Sequence, residues 1–187
     1  MKYISIDIET TGLNPEKHQI LEIGAIIEDT KKLLPREKCP QFHVYLSYED
    51  YVGEAFALQL NHNILKTIHN LRVQEHSIGL VRPDRVSELL GDFIFSNLAG
   101  EGSITPAGKN FSAFDLQFLK RLNGFNTVPL ARRSLDPSAF YLDFQMDDSL
   151  PSLSTCKKRA GLSELVTHQA LDDAWDVIEL LRPQYQE

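Results

Sequence analysis

The stretch Lys2-Tyr3-Ile4-Ser5-Ile6-Asp7-Ile8-Glu9, followed by the loop Thr10-Thr11-Gly12-Leu13, decides how the rest of the chain is read. Side chains alternate faces along a strand, so Ile4, Ile6 and Ile8 point one way and Ser5, Asp7 and Glu9 the other. The isoleucine face is apolar enough to bury the strand, and burial makes two unpaired carboxylates side by side costlier. A divalent cation held by oxygen ligands removes that conflict, and magnesium and manganese favour carboxylates. The competing reading is an edge strand whose acidic face is solvated and needs no metal. The strand alone is compatible with both.

Composition narrows the field. A chain of 187 residues, 42% apolar and 24% charged, fits one compact domain over 1–187 and is ordinary for a soluble globular protein. The apolar run after Lys2 is interrupted by Asp7 with no cleavage pattern behind it, and no stretch approaches the length of a membrane span. Neither a secretory leader nor a membrane partner is expected. Cys39 and Cys156 lack the spacing of a zinc site or a disulfide framework, which favours a reducing, cytoplasmic setting. A net charge of −7 excludes binding duplex nucleic acid by charge alone. Contact with nucleic acid would have to be local, through metal ions and a few lysines.

Read in order, Ile20–Ile27 is a β-branched run that forms a second strand, paired with the first as a long hairpin. Gln41–Ser47 reads as a third. From Glu54 the pattern suits short helices, with Asn61, His62 and Asn63 at a junction between two of them. His62, His69 and His76 share one side if the helix is continuous, but Gly79 and its polar neighbours argue against continuity and favour surface histidines. Pro83–Leu98 is a helix with Val86, Leu89, Leu90, Phe93, Ile94 and Leu98 in its apolar stripe. Ile104–Ala107 reads as a fourth strand, and Ser112 as the N-cap of a helix carrying Asp115, Leu116, Leu119 and Leu122. A fifth strand is expected near Arg132–Leu135, a Ser152-capped helix through Ala160, and a last helix over Gln169–Leu181. The implied fold class is α/β, a mixed five-stranded sheet flanked by helices.

The last helix separates two adjacent aspartates. At about 100° per residue, Ala170, Leu171, Ala174, Val177, Ile178 and Leu181 gather into one stripe. Asp172 and Asp176 fall on the solvated side, whereas Asp173 lies on the flank of the stripe and can reach back over the sheet. His168 stands just before the helix. Asp115, at a helix start, is tolerated there by the helix dipole with or without a metal. The strand before it aims that first turn at the edge where the first strand ends.

Taken together, Asp7-Ile-Glu9-Thr-Thr-Gly-Leu13, Asn110-Phe-Ser-Ala-Phe114-Asp115-Leu and His168-Gln-Ala-Leu-Asp-Asp173-Ala resemble the motifs of the DEDDh (DnaQ-like) 3′–5′ exonucleases on the ribonuclease H-like fold. Each motif is common; their order across nearly the whole chain is specific. The resemblance implies that Asp7, Glu9, Asp115 and Asp173 hold two magnesium or manganese ions, with Asp7 bridging. It implies that His168 is the general base, a task suited to a group titrating near neutrality. Leu13 and Phe114 match positions that pack against terminal bases, although both residues also suit core packing. Thr10 and Thr11 would contact the 3′ end.

One departure is Asn110-Phe111-Ser112, where many relatives have His-Asn-Ala, which puts substrate contacts just upstream of Phe114 in question. Lys109, Lys120, Arg121, Arg132, Arg133, Lys157, Lys158 and Arg159 are the cations available to a phosphate backbone, or to a solvated surface. The partner implied is single-stranded DNA or RNA with a free 3′ end, alone or beside a polymerase or another replication or repair protein. A ribonuclease H-type endonuclease shares the fold and the acidic site, and a non-catalytic binding module could keep the fold. His168 and the Glu9–Leu13 loop favour the exonuclease over the first. Four retained carboxylates weigh against the second, because buried like charges without a metal only destabilise.

Overall fold

The computed structural model describes residues 1–74, 79–98, 100 and 102–186. The opening stretch is β1 (Lys2–Thr10), followed by β2 (Ile20–Asp29) and β3 (Gln41–Leu46), a three-stranded antiparallel run. Two helices, α1 (Ala55–Leu60) and α2 (His62–Val73), meet at Asn61. Next come β4 (Leu80–Val81), α3 (Pro83–Asn97), β5 (Thr105–Ala107), α4 (Asp115–Leu119), α5 (Leu153–Arg159) and α6 (Ala170–Leu181). The sheet order is β4-β3-β2-β1-β5, with β4 parallel to β3 and β5 parallel to β1. This is the mixed five-stranded α/β sheet expected, and β1 lies in its interior. The edge-strand reading is thereby removed.

Strand alternation sorts the core onto two faces. Ile4, Ile6 and Ile8 join Ile23, Ala25 and Val44 against Val86, Leu90 and Ile94 of α3 and Phe118 and Leu119 of α4. Tyr3 and Ile26 face the other way, onto Val177, Ile178 and Leu181 of α6. Helix α6 crosses close over β2 because Gly24 has no side chain. A Cβ there would lie 2.3 Å from the Leu171 backbone nitrogen and 2.4 Å from the Ala170 carbonyl carbon. At the far end of α6, buried Glu28 of β2 accepts two hydrogen bonds from Arg182, at 3.0 and 3.1 Å.

Three local expectations are corrected. The fifth strand is Leu80–Val81, too short to carry a period of its own, whereas 132–135 touches the sheet through one bridge from Leu135 to Ala107. Ser112 does not cap α4: its hydroxyl pairs with that of Ser134 at 2.7 Å, and Phe114 is the residue before the helix. The helix ends at Leu119, so Leu122 lies in the turn beyond it. Ser152 does cap α5, accepting from the Thr155 amide. His62 and His69 are both exposed on α2, and His76 lies outside the described residues. Among the described residues no helix is long and apolar enough to cross a membrane.

Gly24→Ala should therefore destabilise the protein by at least about 1–3 kcal/mol, the usual range for overpacking, because its new methyl group meets backbone that cannot rotate away. Chemical denaturation checks this. A neutral substitution would mean that α6 sits farther from β2.

Candidate active site

Asp7 and Glu9 project from β1 on the face that carries α6. In the sheet register Asp7 lies opposite Gly24 and Glu9 opposite Glu22, with an irregularity between Glu9 and Thr10 where the strand gives way to its loop. Because β5 runs parallel to β1, the chain leaving β5 delivers the start of α4 to this end of the sheet. Gly108 permits the close passage, since a Cβ there would lie 2.8 Å from the Ile6 carbonyl oxygen. Asp115, the first residue of α4 and only 3% exposed, accepts a hydrogen bond from the Ile8 amide at 3.1 Å. Asp173 arrives from the first turn of α6, 5% exposed, and its Oδ1 has no hydrogen-bond partner. His168 is exposed, and one ligand atom each from Glu9, His168 and Asp173 lie within 4.8 Å of one another.

Burial first, and like charges after it, raise the carboxyl pKa of Asp7, Glu9 and Asp173, and burial alone raises that of Asp115. Desolvation comes first for Asp7, followed by repulsion from Asp115, Asp173, Glu9 and Glu22, and holds its carboxyl well above the ordinary range. Glu9 is pushed up to about 8 by burial and by Asp173, with Asn61 working the other way. Burial lifts Asp115 to about 7 against its backbone hydrogen bonds, and lifts Asp173 to about 6 with help from Asp176. Among the described residues none of the four forms a salt bridge. Buried carboxylate oxygens without a cation, one of them lacking any partner, suit a hard divalent ion. Asp7, Glu9, Asp115 and Asp173 are the residues that could hold it.

The loop after β1 is tied down from within. The Thr10 hydroxyl donates to the Gly12 carbonyl at 2.8 Å and the Thr11 hydroxyl to the Val52 carbonyl at 2.6 Å. Leu13, in the same loop, is 73% exposed. Phe114 is half-buried, its ring 5.2 Å from that of Phe118 and packed on the core.

Asp172 and Asp176 are not the solvated residues that the helical wheel suggests. Asp172 pairs with Arg36, and Asp176 with the buried amine of Lys157, partners that helix periodicity cannot reveal. Lys157 is thus withdrawn from the cations open to a phosphate backbone. Arg121, Lys158 and Arg159 are paired with Glu16, Glu164 and Asp147.

Sequence reasoning gave Asn61 only a place at a helix junction and passed over Glu22 and His43 as site residues. Buried Asn61 donates to the Thr10 carbonyl at 3.0 Å. Glu22, 1% exposed, accepts from the Ala170 amide at 3.1 Å and from His43 Nε2 at 2.5 Å. The available signal was a glutamate inside an otherwise apolar β-branched run.

Comparison with known proteins agrees with this geometry. The exonuclease family model RNase_T matches residues 4–71, the part that contains Asp7 and Glu9. An oligoribonuclease from Baumannia cicadellinicola subsp. Homalodisca coagulata is 28% identical over 177 residues, covering 91% of this chain and 84% of its own. The nuclease domain of 3′hExo, a DEDDh family member solved with rAMP bound, superposes with a TM-score of 0.70. It is 16% identical, with 99% of this chain and 92% of that one covered. Exonuclease I of E. coli, solved with a dT13 oligonucleotide, gives a TM-score of 0.66 at 16% identity, covering 99% of this chain and 41% of that longer one. The acidic pair on β1 inside the family match, a relative along nearly the whole chain and the shared fold agree: the chain is similar to exonucleases and carries the fold of a DEDDh nuclease domain.

Proposed function

We propose that the chain forms one exonuclease domain that releases nucleoside monophosphates stepwise from the 3′ end of single-stranded DNA or RNA. In this reading Asp7, Glu9, Asp115 and Asp173 hold two magnesium or manganese ions. The observation that carries it is the buried oxygen of Asp173 with no partner, facing carboxylates that no cationic side chain neutralises. When bound, such ions supply Lewis acidity at the scissile phosphate and stabilise the departing 3′ oxygen. The likeness to an oligoribonuclease supports short RNA among the substrates.

The protein's own groups do the rest. The Ile8 amide fixes the carboxylate of Asp115, so that this ligand keeps one orientation. His168, exposed beside Glu9 and Asp173, accepts the proton of the attacking water and can pass it to solvent. Leu13 offers its exposed side chain to the terminal base, and Phe114 offers the free part of its ring. Such apolar contact tolerates any base. Thr10 and Thr11 keep the loop in shape through their hydroxyls and leave the remaining contact with the 3′ end to backbone and lone pairs.

Chelation should abolish nuclease activity and manganese or magnesium restore it, while a closed circular single strand is spared. Cutting of the circle would favour the endonuclease reading. Asp173→Ala should lose both activity and manganese binding by calorimetry, whereas Asp172→Ala keeps both within a few-fold. The reverse pattern would mean that the helix is read one residue out of register. His168→Ala should bind manganese normally yet cleave about 10²–10⁴-fold more slowly, with partial recovery at high pH.

The raised carboxyl pKa values also fix the pH dependence of the metal-free protein. Between the ordinary carboxyl range and about 8, the folded state holds more protons than the unfolded chain, so stability falls as pH rises. The Tm of the metal-free protein should drop from pH 4.5 to pH 8, and Asp7→Asn should flatten the slope. Manganese should raise the pH 8 value most. A metal-free Tm that climbs over this window would contradict the crowded site.

A further inference from the structure

Helix α6 begins without a cap of its own. Gln169 precedes it in an extended conformation, and its side chain makes no capping hydrogen bond. The first amides of a helix need acceptors, and a buried one left alone is costly. The Ala170 amide finds its acceptor on another element, the Glu22 carboxylate of β2. Glu22 is in turn held by His43 of β3, whose side chain is about one-third exposed. Two residues before Ala170, His168 has φ of 52°, the left-handed region that a β-carbon makes unfavourable. Such a conformation persists only where flanking contacts over-determine it. On the helix side the flanking contact is the Glu22 bond, and on the other side the Thr167 hydroxyl donates to Asp172 at 3.4 Å.

The rest of α6 is secured separately. Val177, Ile178 and Leu181 are packed on Tyr3 and Ile26, Asp176 is paired with Lys157, and Arg182 is paired with Glu28. Loss of Glu22 would therefore free the segment that leads into the helix more than the helix itself. We propose that Glu22, seated on His43, is the positioning residue that caps α6 from the sheet and thereby holds His168 over the carboxylate cluster. The proposal rests on the reading of His168 as the proton acceptor. A displacement of the order of 1 Å in such a group can cost roughly 10²-fold in rate.

The test is a double-mutant cycle on a short single-stranded oligonucleotide with manganese. Glu22→Leu keeps volume but removes the acceptor, and should lower kcat about 10–100-fold with KM changed less than about threefold. Glu22→Gln keeps an acceptor oxygen and should restore most of kcat. In a His168→Ala background Glu22→Leu should cost nothing further, because the group it positions is gone. An equal loss in both backgrounds would overturn the proposal and give Glu22 a general structural role.

His43→Ala, at a partly exposed site, gives a second variant should Glu22→Leu fail to fold. It should show a smaller loss that also vanishes in the His168→Ala background, and a loss that persists there would again overturn the proposal. Independently of turnover, hydrogen exchange at the Ala170 amide of the metal-free protein should accelerate at least tenfold in Glu22→Leu and stay slow in Glu22→Gln. Unchanged exchange would refute the capping role. If His168→Ala alone leaves kcat intact, the proton-acceptor reading fails first and takes this proposal with it. If that variant is impaired but the cycle is additive, only the positioning role of Glu22 falls.

Discussion

The burial of four carboxylates gathered at one end of β1, with the repulsion that their grouping adds, is the constraint on which this structure depends. Asp7 and Glu9 come from the strand, Asp115 from the first turn of α4 and Asp173 from the first turn of α6. In a metal-free protein this grouping works against folding, since every member is more easily protonated than a solvated acid. The fold must hold these groups together by force supplied elsewhere. Two apolar layers supply it: the isoleucine face of β1 packed under α3 and α4, and the α6 layer on the opposite face. Helix N-termini at Asp115 and Asp173 lessen the penalty, because each carboxylate sits where the helix dipole favours negative charge.

The sheet order turns that constraint into a site. An antiparallel β1–β2–β3 run alone would leave β1 at an edge, with its acidic face accessible and its acidic group limited to two carboxylates. Parallel addition of β5 places β1 inside the sheet and sends the following loop past Gly108 to the same end. Helix α6 then closes the opposite face, and Gly24 allows its first turn to approach β2 closely enough for Asp173 to face Glu9. Neither glycine contacts the chemistry. Each sets the distance between the elements that do.

Much of this was legible in the sequence because it is carried by periodicity. The alternation in β1, the apolar stripe of Pro83–Leu98 and the flank position of Asp173 in α6 follow from residue spacing; the structure has the strand, has the helix over Pro83–Asn97, and buries Asp173. The failures share one cause, which is pairing between distant segments. Leu80–Val81 is a strand only because β3 offers it a parallel partner, and Asp172 and Asp176 leave the solvated class only because Arg36 and Lys157 reach them. Ser112 has the composition of a cap, but its hydroxyl is taken by Ser134 across 22 residues. Glu22 looked like one polar residue in a strand. Its partners lie 21 and 148 residues away.

Those long-range partners also show how the helix that carries Asp173 is aligned. Glu22, Gly24, Ile26 and Glu28 share one face of β2, and the two glutamates are its buried acids. The six steps from Glu22 to Glu28 span roughly 20 Å of strand, and the twelve steps from Ala170 to Arg182 span about 18 Å of helix. The two lengths match, so Glu22 meets the first amide of α6 while Glu28 meets the arginine that follows its last turn. A helix pinned at both ends can neither slide along nor rotate on the strand beneath it. Sliding by one residue, about 1.5 Å, or turning by about 100° would carry Asp173 away from Glu9. Apolar contacts through Val177, Ile178 and Leu181 supply adhesion but tolerate such slips, because hydrophobic burial is non-directional. The directional bonds at the two ends fix register, and register is what a site assembled from three separate elements requires.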